Sequence, residues 1–517
     1  MRFELYVASI SPQYAVLAWS GTASLLVIWQ VANSKGANKV DLLTEIGVHL
    51  AEALLQWLLS PFYWVSILLI ALIYRRQMLL ERRLFAVKMH SWIEHTWHAW
   101  LGGLLVGLAV SAAAIGLGIS FTAEAIIALW AVTLLLLLFR VRFLCLAYSG
   151  GVLALAHFAL NALAPAWVPE GFLAPFVGAI REMDAAGLLI LVALLHAAEA
   201  WLIRKQAARM AGPLFMESKR GRIVGAYQMQ SLWPLPLLLI FPAVTTGTPL
   251  PWTPLLGTGW EHGWTLIAFP VVIGFSELTY TRLPQEKAAV SASRLFAYAA
   301  ILLALGLAAS WWPPLVPLAA IGALGLHEAL IWLSRREENE RSPVFTHDPL
   351  GLRVLAVLPG SPAEALGIRI GEVIAKVNGV PVRTKEQLHQ GLRANAAFCK
   401  LEVYNRDGEV RFLQRALYAG EHHQLGVLLA PDDRVAFVAV TRQPSLFALL
   451  RMPWTKMGAL AQRGQADAAQ GTPTEGDDGG GVADSLANGA ESPASADAAG
   501  LGARRKGTSA SADSSVR

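Results

Sequence analysis

Charge is what this sequence has least of. Asp, Glu, Lys and Arg make up 15% of its 517 residues, while 55% are hydrophobic. Soluble domains carry about a quarter of their residues charged, so a soluble globular protein is excluded and a many-span membrane protein is expected. Cysteine is nearly absent: Cys145 lies in an apolar run and Cys399 in a predicted strand. That pair supports neither a disulfide framework nor a cysteine zinc site. The net charge of +5 is small and its basic residues fall between apolar runs, so nucleic-acid binding is not expected. No short apolar core with a small-residue cleavage pattern follows Arg2, and a cleaved signal peptide is not expected.

Catalytic signatures are missing as well. A zinc protease sets two imidazoles on one helix face through His-Glu-x-x-His. Here His327-Glu328 runs into Ala329-Leu330-Ile331, with no second histidine in place. A serine intramembrane protease wants Gly-x-Ser-Gly. Ala147-Tyr148-Ser149-Gly150 lacks the first glycine, although His157 or His196 could be imagined as its base. Ser-Gly-Gly in an apolar helix more simply serves close helix packing. His90, Glu94 and His98 recur every four residues with His95 adjacent, a face that can hold a metal. Trp92, Trp97 and Trp100 beside them read instead as an interfacial helix. No catalytic residue, metal ligand or cofactor is assigned.

What the chain does have is apolar runs. Residues 54–74, 100–119, 123–139, 143–164, 185–203, 264–281, 295–312 and 315–334 are expected to span as helices, each needing about 20 residues. Residues 14–32 are weakened by Trp19, Ser20, Thr22 and Gln30. Residues 231–248 are proline-rich and read as a broken span. The expectation is eight to ten spans in a transmembrane domain of residues 41–336, after an N-terminal extension of residues 1–40.

Basic residues sort by side. Arg75, Arg76, Arg82, Arg83 and Lys88 follow one run, and Arg140 and Arg142 another. Arg204, Lys205, Arg209, Lys219, Arg220 and Arg222 form the next group, then Arg282, Lys287 and Arg294, then Arg335, Arg336 and Arg341. The alternate loops, 120–122, 165–184 and 249–263, hold between them only Arg181. The positive-inside rule then places every basic loop, and all that follows residue 336, in the cytoplasm if 231–248 crosses. His157, Asn161, His196, Glu199, Glu277, His327 and Glu328 lie in these runs and invite a proton or ion path. Most are within a turn or two of a predicted end, where they can reach the interface or bond between helices.

Residues 343–432 read differently, as a small, mostly β, α/β domain. A strand over 352–358 is broken only by Arg353. Pro359-Gly360-Ser361-Pro362 is turn chemistry, with Ser361 capping a short helix that Gly367 ends. A strand over 372–377 leads to Asn378-Gly379, a tight-turn signal. Thr384 opens a helix to about Ala394 with Leu388 and Leu392 on one face. Strands at 398–404 and 409–413 flank Arg406-Asp407-Gly408, and a last strand covers 424–430.

The pieces LPGSPAEALGI, GEVIAKVNG and TKEQLHQGLR, in this order and spacing, resemble a PDZ domain of the bacterial, HtrA-like kind. The resemblance implies a domain that captures an extended peptide by adding it to a sheet edge. Backbone hydrogen bonds supply affinity, and a pocket takes the terminal side chain. Two apolar-Gly-apolar turns could receive the peptide's end: Leu350-Gly351-Leu352 and Leu425-Gly426-Val427. Bacterial members can be circularly permuted, so both stay open. Leu388 and Leu392 would form the other wall. Equally, both Leu-Gly pairs are ordinary strand starts and both leucines ordinary core.

Residues 433–463 set Phe447, Leu449, Leu450, Met452 and Trp454 beside Arg451 and Lys456, which suits a membrane surface or a helix packed on the domain. Residues 464–517 are rich in Ala, Gly, Ser, Asp and Thr, lack aromatics, and are expected to be disordered. The fold class is thus an α-helical polytopic membrane domain, a PDZ-like domain and a disordered C-terminal tail. That architecture, with LLTEIGVHLAEALLQWLLSPFYWVSILLIALIYRRQ and FTAEAIIALWAVTLLLLLFR in the membrane part, resembles the MinJ family of bacterial cell-division topological determinants. Residues 1–40 and the tail lie outside the resemblance.

The resemblance implies a non-enzymatic scaffold that links a DivIVA-type polar scaffold to a MinD-type division inhibitor at septum and poles, with a linked role in swarming. Its partners would be the lipid bilayer, those proteins and peptide segments in the groove. The rival reading is a transporter or regulated intramembrane protease that uses the domain as a sensor.

Overall fold

The computed structural model describes residues 42–242 apart from 88, 90, 168 and 220, then 254–256, 263–416 apart from 396, and 425–431. The expectations placed on 1–40, 14–32, His90, 433–463 and 464–517 fall outside the described residues.

The described residues begin with α1 (Leu42–Leu59), α2 (Pro61–Phe85), α3 (Trp92–Leu117), α4 (Ala123–Phe139), α5 (Leu146–Phe158), α6 (Ala174–Glu182) and α7 (Ala185–Leu202). Three strands follow: β1 (Ala211–Glu217), β2 (Ile223–Pro242) and β3 (Trp264–Thr279). Helices α8 (Pro284–Trp311) and α9 (Val316–Glu340) complete the membrane body. Among the described residues, six segments are helical, long and apolar enough to cross a membrane: Pro61–Arg82, Trp92–Leu117, Leu146–Leu163, Ala185–Ala207, Pro284–Trp311 and Pro313–Glu340. The apolar helices Ile46–Leu59 and Ala123–Phe139 are shorter.

Local chemistry sets the ends. Pro61 stands at the start of α2, where its missing N–H costs nothing, and so divides the expected 54–74 span. Arg75, Arg76 and Arg82 lie on α2 rather than in a loop. The Thr122 hydroxyl accepts from Ala125 N–H to cap α4, and the Asp184 carboxylate accepts from Gly187 N–H at 2.8 Å to cap α7.

Two expected spans are not helices. Residues 231–248 and 264–281 fall largely on β2 and β3, which pair antiparallel from Tyr227↔Thr279 to Pro242↔Trp264. β1 pairs with the start of β2, from Glu217↔Ile223 to Ala211↔Met229. Beyond Met229 that side of β2 is an edge inside an apolar body, where water cannot satisfy backbone donors. From Leu232 to Leu238, every second position either has a partner for its N–H or has no N–H. Tyr74 Oη accepts from Leu232 N–H at 3.4 Å and Ser111 Oγ from Leu238 N–H at 2.8 Å. Pro234 and Pro236 have no N–H to satisfy, and Ile240 bridges to Ser120. Helix α3 lies against this edge through glycines. A Cβ on Gly103 would stand 3.0 Å from the Pro234 carbonyl carbon. The prolines that look like helix breakers are strand-edge chemistry.

The C-terminal domain comprises β4 (Leu352–Val357), α10 (Pro362–Ala365), β5 (Val373–Val377), β6 (Val380–Pro381), α11 (Lys385–Arg393), β7 (Phe398–Tyr404), β8 (Val410–Ala416) and β9 (Val427–Leu429). The sheet order is β8-β7-β5-β4-β9, with β6 on β5. Val354, Ile374, Val377, Cys399 and Leu401 fill its core. The Cys399 thiol is buried there, and burial pushes it up to about 11, so it stays protonated and unreactive at neutral pH.

This domain is docked onto the membrane body. Gly225 N–H donates to Phe345 O and Val344 N–H to Tyr280 O, both at 2.8 Å. Tyr227 O–H donates to Leu355 O, and Arg406 pairs with Glu286. Leu355, Ala356 and Leu428 join the apolar core of the membrane body. The membrane sheet therefore carries the domain at its β1 end.

Candidate functional site

The sheet order separates the two Leu-Gly turns. Leu350-Gly351-Leu352 leads into β4, an interior strand. Leu352 pairs with Ile374, and Gly351 lies so close to β5 that a Cβ there would stand 2.9 Å from Ala375 Cα. Leu350 is exposed. Leu425-Gly426-Val427 leads into β9, the edge strand. Gly426 has φ 81° and its Cα faces Ser361, so both backbone conformation and space call for glycine.

The hydrogen bonds fix which way β9 faces. Leu358 N–H donates to Gly426 O at 2.9 Å and Ala430 N–H to Arg353 O at 2.8 Å. Even-numbered residues thus bond β4, and alternation turns the N–H and C=O of Val427 and Leu429 to the open side. No strand pairs with that side among the described residues. Leu388 and Leu392 of α11 share one apolar cluster with Leu425, Val427 and Leu429. Leu352 of the other turn lies in the same cluster, while Leu350 and Gly351 do not; Gly426 sits between two of its members, Leu425 and Val427.

A family model described as a PDZ domain matches residues 353–406. The cell division topological determinant MinJ of Bacillus subtilis is 30% identical over 394 residues, which is 75% of this chain and 96% of that protein. The chain belongs to the MinJ family. A probable MinJ from Lacticaseibacillus paracasei is 27% identical over 299 residues, 56% of the chain and 78% of that protein. Both matches far exceed the PDZ domain and so include membrane body. A putative serine protease, HhoA of Synechocystis, is 35% identical over 75 residues, 14% of the chain and 19% of that protein. That length is one PDZ domain's worth and carries no protease part across. The chain is therefore a membrane protein of a division-determinant family, with a PDZ domain at its C-terminal side.

In this MinJ-family chain the intramembrane candidates fall into separate groups. Glu277 is not an isolated carboxylate. Its Oε2 lies 3.5 Å from Lys287 Nζ and 2.7 Å from Ser291 Oγ, and Ser334 donates to its Oε1 at 3.0 Å. Lys287, expected in a basic loop, is 2% exposed on α8 and also meets Glu338 at 3.2 Å. His157 Nδ1 bonds Ile180 O at 2.9 Å, and Asn161 donates to Arg181 O at 3.1 Å, tying α5 and the turn after it to α6. His98 Nδ1 bonds Glu94 O of its own helix, an ordinary helix-surface contact. Ser149 is fully buried in α5. His196 and His327 converge on Cys145, and Glu328 bonds Tyr148 and Arg142. Sequence reading missed Lys287, Tyr148 and Cys145 as members of these groups because no local spacing links them to their partners.

Proposed function

We propose that the chain is a membrane-held adaptor whose PDZ domain takes an extended peptide along β9. The peptide's end sits at Leu425-Gly426-Val427, and α11 forms the other wall through Leu388 and Leu392. The observation that supports this most is the outward-facing N–H and C=O of Val427 and Leu429 on an edge strand beside α11. An added strand completes those hydrogen bonds. In this reading the Leu350-Gly351-Leu352 turn, which leads into an interior strand, binds nothing. Anchoring confines the domain to two dimensions and raises the effective concentration of whatever it holds. By family membership the partners are a DivIVA-type scaffold and a MinD-type inhibitor, brought together at septum and poles from the cytoplasmic face. The adaptor has no catalytic step, and the distribution of basic residues supports the cytoplasmic placement of the domain.

Val427→Pro removes one outward N–H and leaves the bonds to β4 intact, because a proline fits a strand where its nitrogen faces away from the ladder. Peptides selected from a random C-terminal library on the full chain in lipid nanodiscs should bind Val427→Pro about tenfold more weakly, the worth of about one hydrogen bond. Leu350→Asp should bind them as the unaltered chain does. Fluorescence anisotropy reads both. Equal binding by Val427→Pro, or loss with Leu350→Asp, places the groove elsewhere. A fluorescent fusion at residue 463 should concentrate at septa and poles. Uniform membrane signal, with normal cell lengths after gene deletion, would remove the division role.

A further inference from the structure

Away from the groove, three ligating atoms from distant segments meet in the membrane body. Cys145 stands at the start of α5, His196 in α7 and His327 in α9. Cys145 Sγ lies 3.2 Å from His196 Nε2 and 3.7 Å from His327 Nε2, and the three atoms all lie within 4.8 Å of one another.

The outer nitrogens settle the tautomers. His196 Nδ1 is 2.7 Å from Val192 O, which can only accept, so the proton is on Nδ1 and the Nε2 lone pair is bare. His327 Nδ1 is 3.3 Å from Tyr148 Oη. Tyr148 gives its own hydrogen to Glu328 Oε1 at 2.7 Å, and Glu328 is paired with Arg142 at 2.9 Å. The tyrosine oxygen is left to accept, so His327 also carries its proton on Nδ1. Two imidazole lone pairs therefore face one sulfur. A thiol has one hydrogen and cannot serve both. A cation bound by all three atoms does.

We propose that Cys145, His196 and His327 bind a zinc ion. Zinc bonds of ~2.3 Å to sulfur and ~2.0 Å to nitrogen, at tetrahedral angles, put the sulfur–nitrogen edges at ~3.5 Å. The two observed separations bracket that length. Three protein ligands leave the fourth position for water. The outer contacts are those that orient metal-bound imidazoles: a backbone carbonyl on His196, and a tyrosine held by a carboxylate on His327. One thiolate and two imidazoles also suit monovalent copper. The two sulfur–nitrogen separations fit the tetrahedral zinc arrangement, and the titration below separates the two metals. The ion would pin α5, α7 and α9 together. This site is independent of the peptide groove.

The full chain, purified in detergent with a tag free of histidine and stripped with chelator, is titrated with Co²⁺ and then Zn²⁺. About one equivalent of cobalt should bind, with a near-ultraviolet thiolate-to-cobalt charge-transfer band and intense tetrahedral visible bands, and zinc should displace it. Cys145→Ser should abolish the charge-transfer band, and Cys399→Ser should keep it. Tyr148→Phe should keep the band but weaken binding about tenfold or more, as loss of an orienting partner does. The unaltered chain tests the idea without any folding question. No charge-transfer band there, or a band that survives Cys145→Ser, overturns the site. Stoichiometric copper(I) binding by a chain that refuses cobalt and zinc overturns the choice of metal.

Discussion

Gly107→Ala will keep the membrane body from packing, although the same change usually helps a helix by about 1 kcal/mol. A Cβ at this position would stand 2.5 Å from Pro236 Cδ, 2.9 Å from its carbonyl oxygen and 3.0 Å from its nitrogen. None of these atoms is the far end of a flexible side chain. The ring is rigid, and the strand behind it is paired to β3 through Pro236↔Pro270. One turn on, Ser111 Oγ holds Leu238 N–H, so α3 cannot move off without exposing a donor to an apolar interior. Overpacking ordinarily costs about 1–3 kcal/mol, and a backbone with no freedom to yield puts this case at or above the upper end. Gly116 in the same helix is the control, since a Cβ there meets nothing within 4 Å. Size-exclusion profiles and thermal midpoints of detergent-extracted protein decide the matter. Gly107→Ala should lose most of its monodisperse peak, while Gly116→Ala should match or exceed the unaltered chain. Similar behaviour of the two would mean that α3 and β2 do not pack this closely.

Lys287→Met should cost about 3–5 kcal/mol, the usual penalty for stranding a buried charge. The ammonium is held by Ser334 Oγ at 2.8 Å, Glu338 at 3.2 Å and Glu277 at 3.5 Å. Methionine fills similar space but leaves two carboxylates facing an apolar side chain. The damage should reach the PDZ domain. Glu338 Oε2 also accepts from Tyr280 N–H, Thr281 N–H and Thr281 O–H, and so shapes the end of β3. Tyr280 O is the acceptor for Val344 N–H at the docking seam. Hydrogen exchange should therefore rise at Val344 and Gly225 before it rises in the core of the domain. Glu277→Gln added to Lys287→Met should recover part of the loss. By contrast Arg336→Ala, which breaks the exposed pair with Glu340, should cost no more than ~0.5 kcal/mol. Equal effects of Lys287→Met and Arg336→Ala on the thermal midpoint would show that the network is a surface feature.

Some of this was legible residue by residue. The Asn378-Gly379 turn, the Ser361 and Thr384 caps and the paired leucines 388 and 392 announce themselves within a few positions, because φ > 0, capping and helical spacing are local. Those signals suffice for a small domain whose strands alternate and whose turns are marked. The run 264–281 is a different case. An all-apolar stretch fits a buried helix and a buried strand equally well, since periodicity vanishes when every face is buried. Pro270, Gly274 and the β-branched residues between them favour a strand, while the length of the run suits a helix. What decided it was a partner: β2 supplies the hydrogen bonds that a lone strand in an apolar body could not find.

The sequence by itself determined that the chain is a membrane protein with a PDZ domain, because hydrophobic content and turn chemistry are properties of neighbours. Only the tertiary structure decided which Leu-Gly turn lies at a sheet edge, since sheet order is a long-range fact. It alone brought Lys287 under two carboxylates. It alone set Cys145 against His196 and His327, 51 and 182 residues away along the chain. Contacts across such separations leave no spacing to read, because the helices between them can be of any length that returns the chain to the same place.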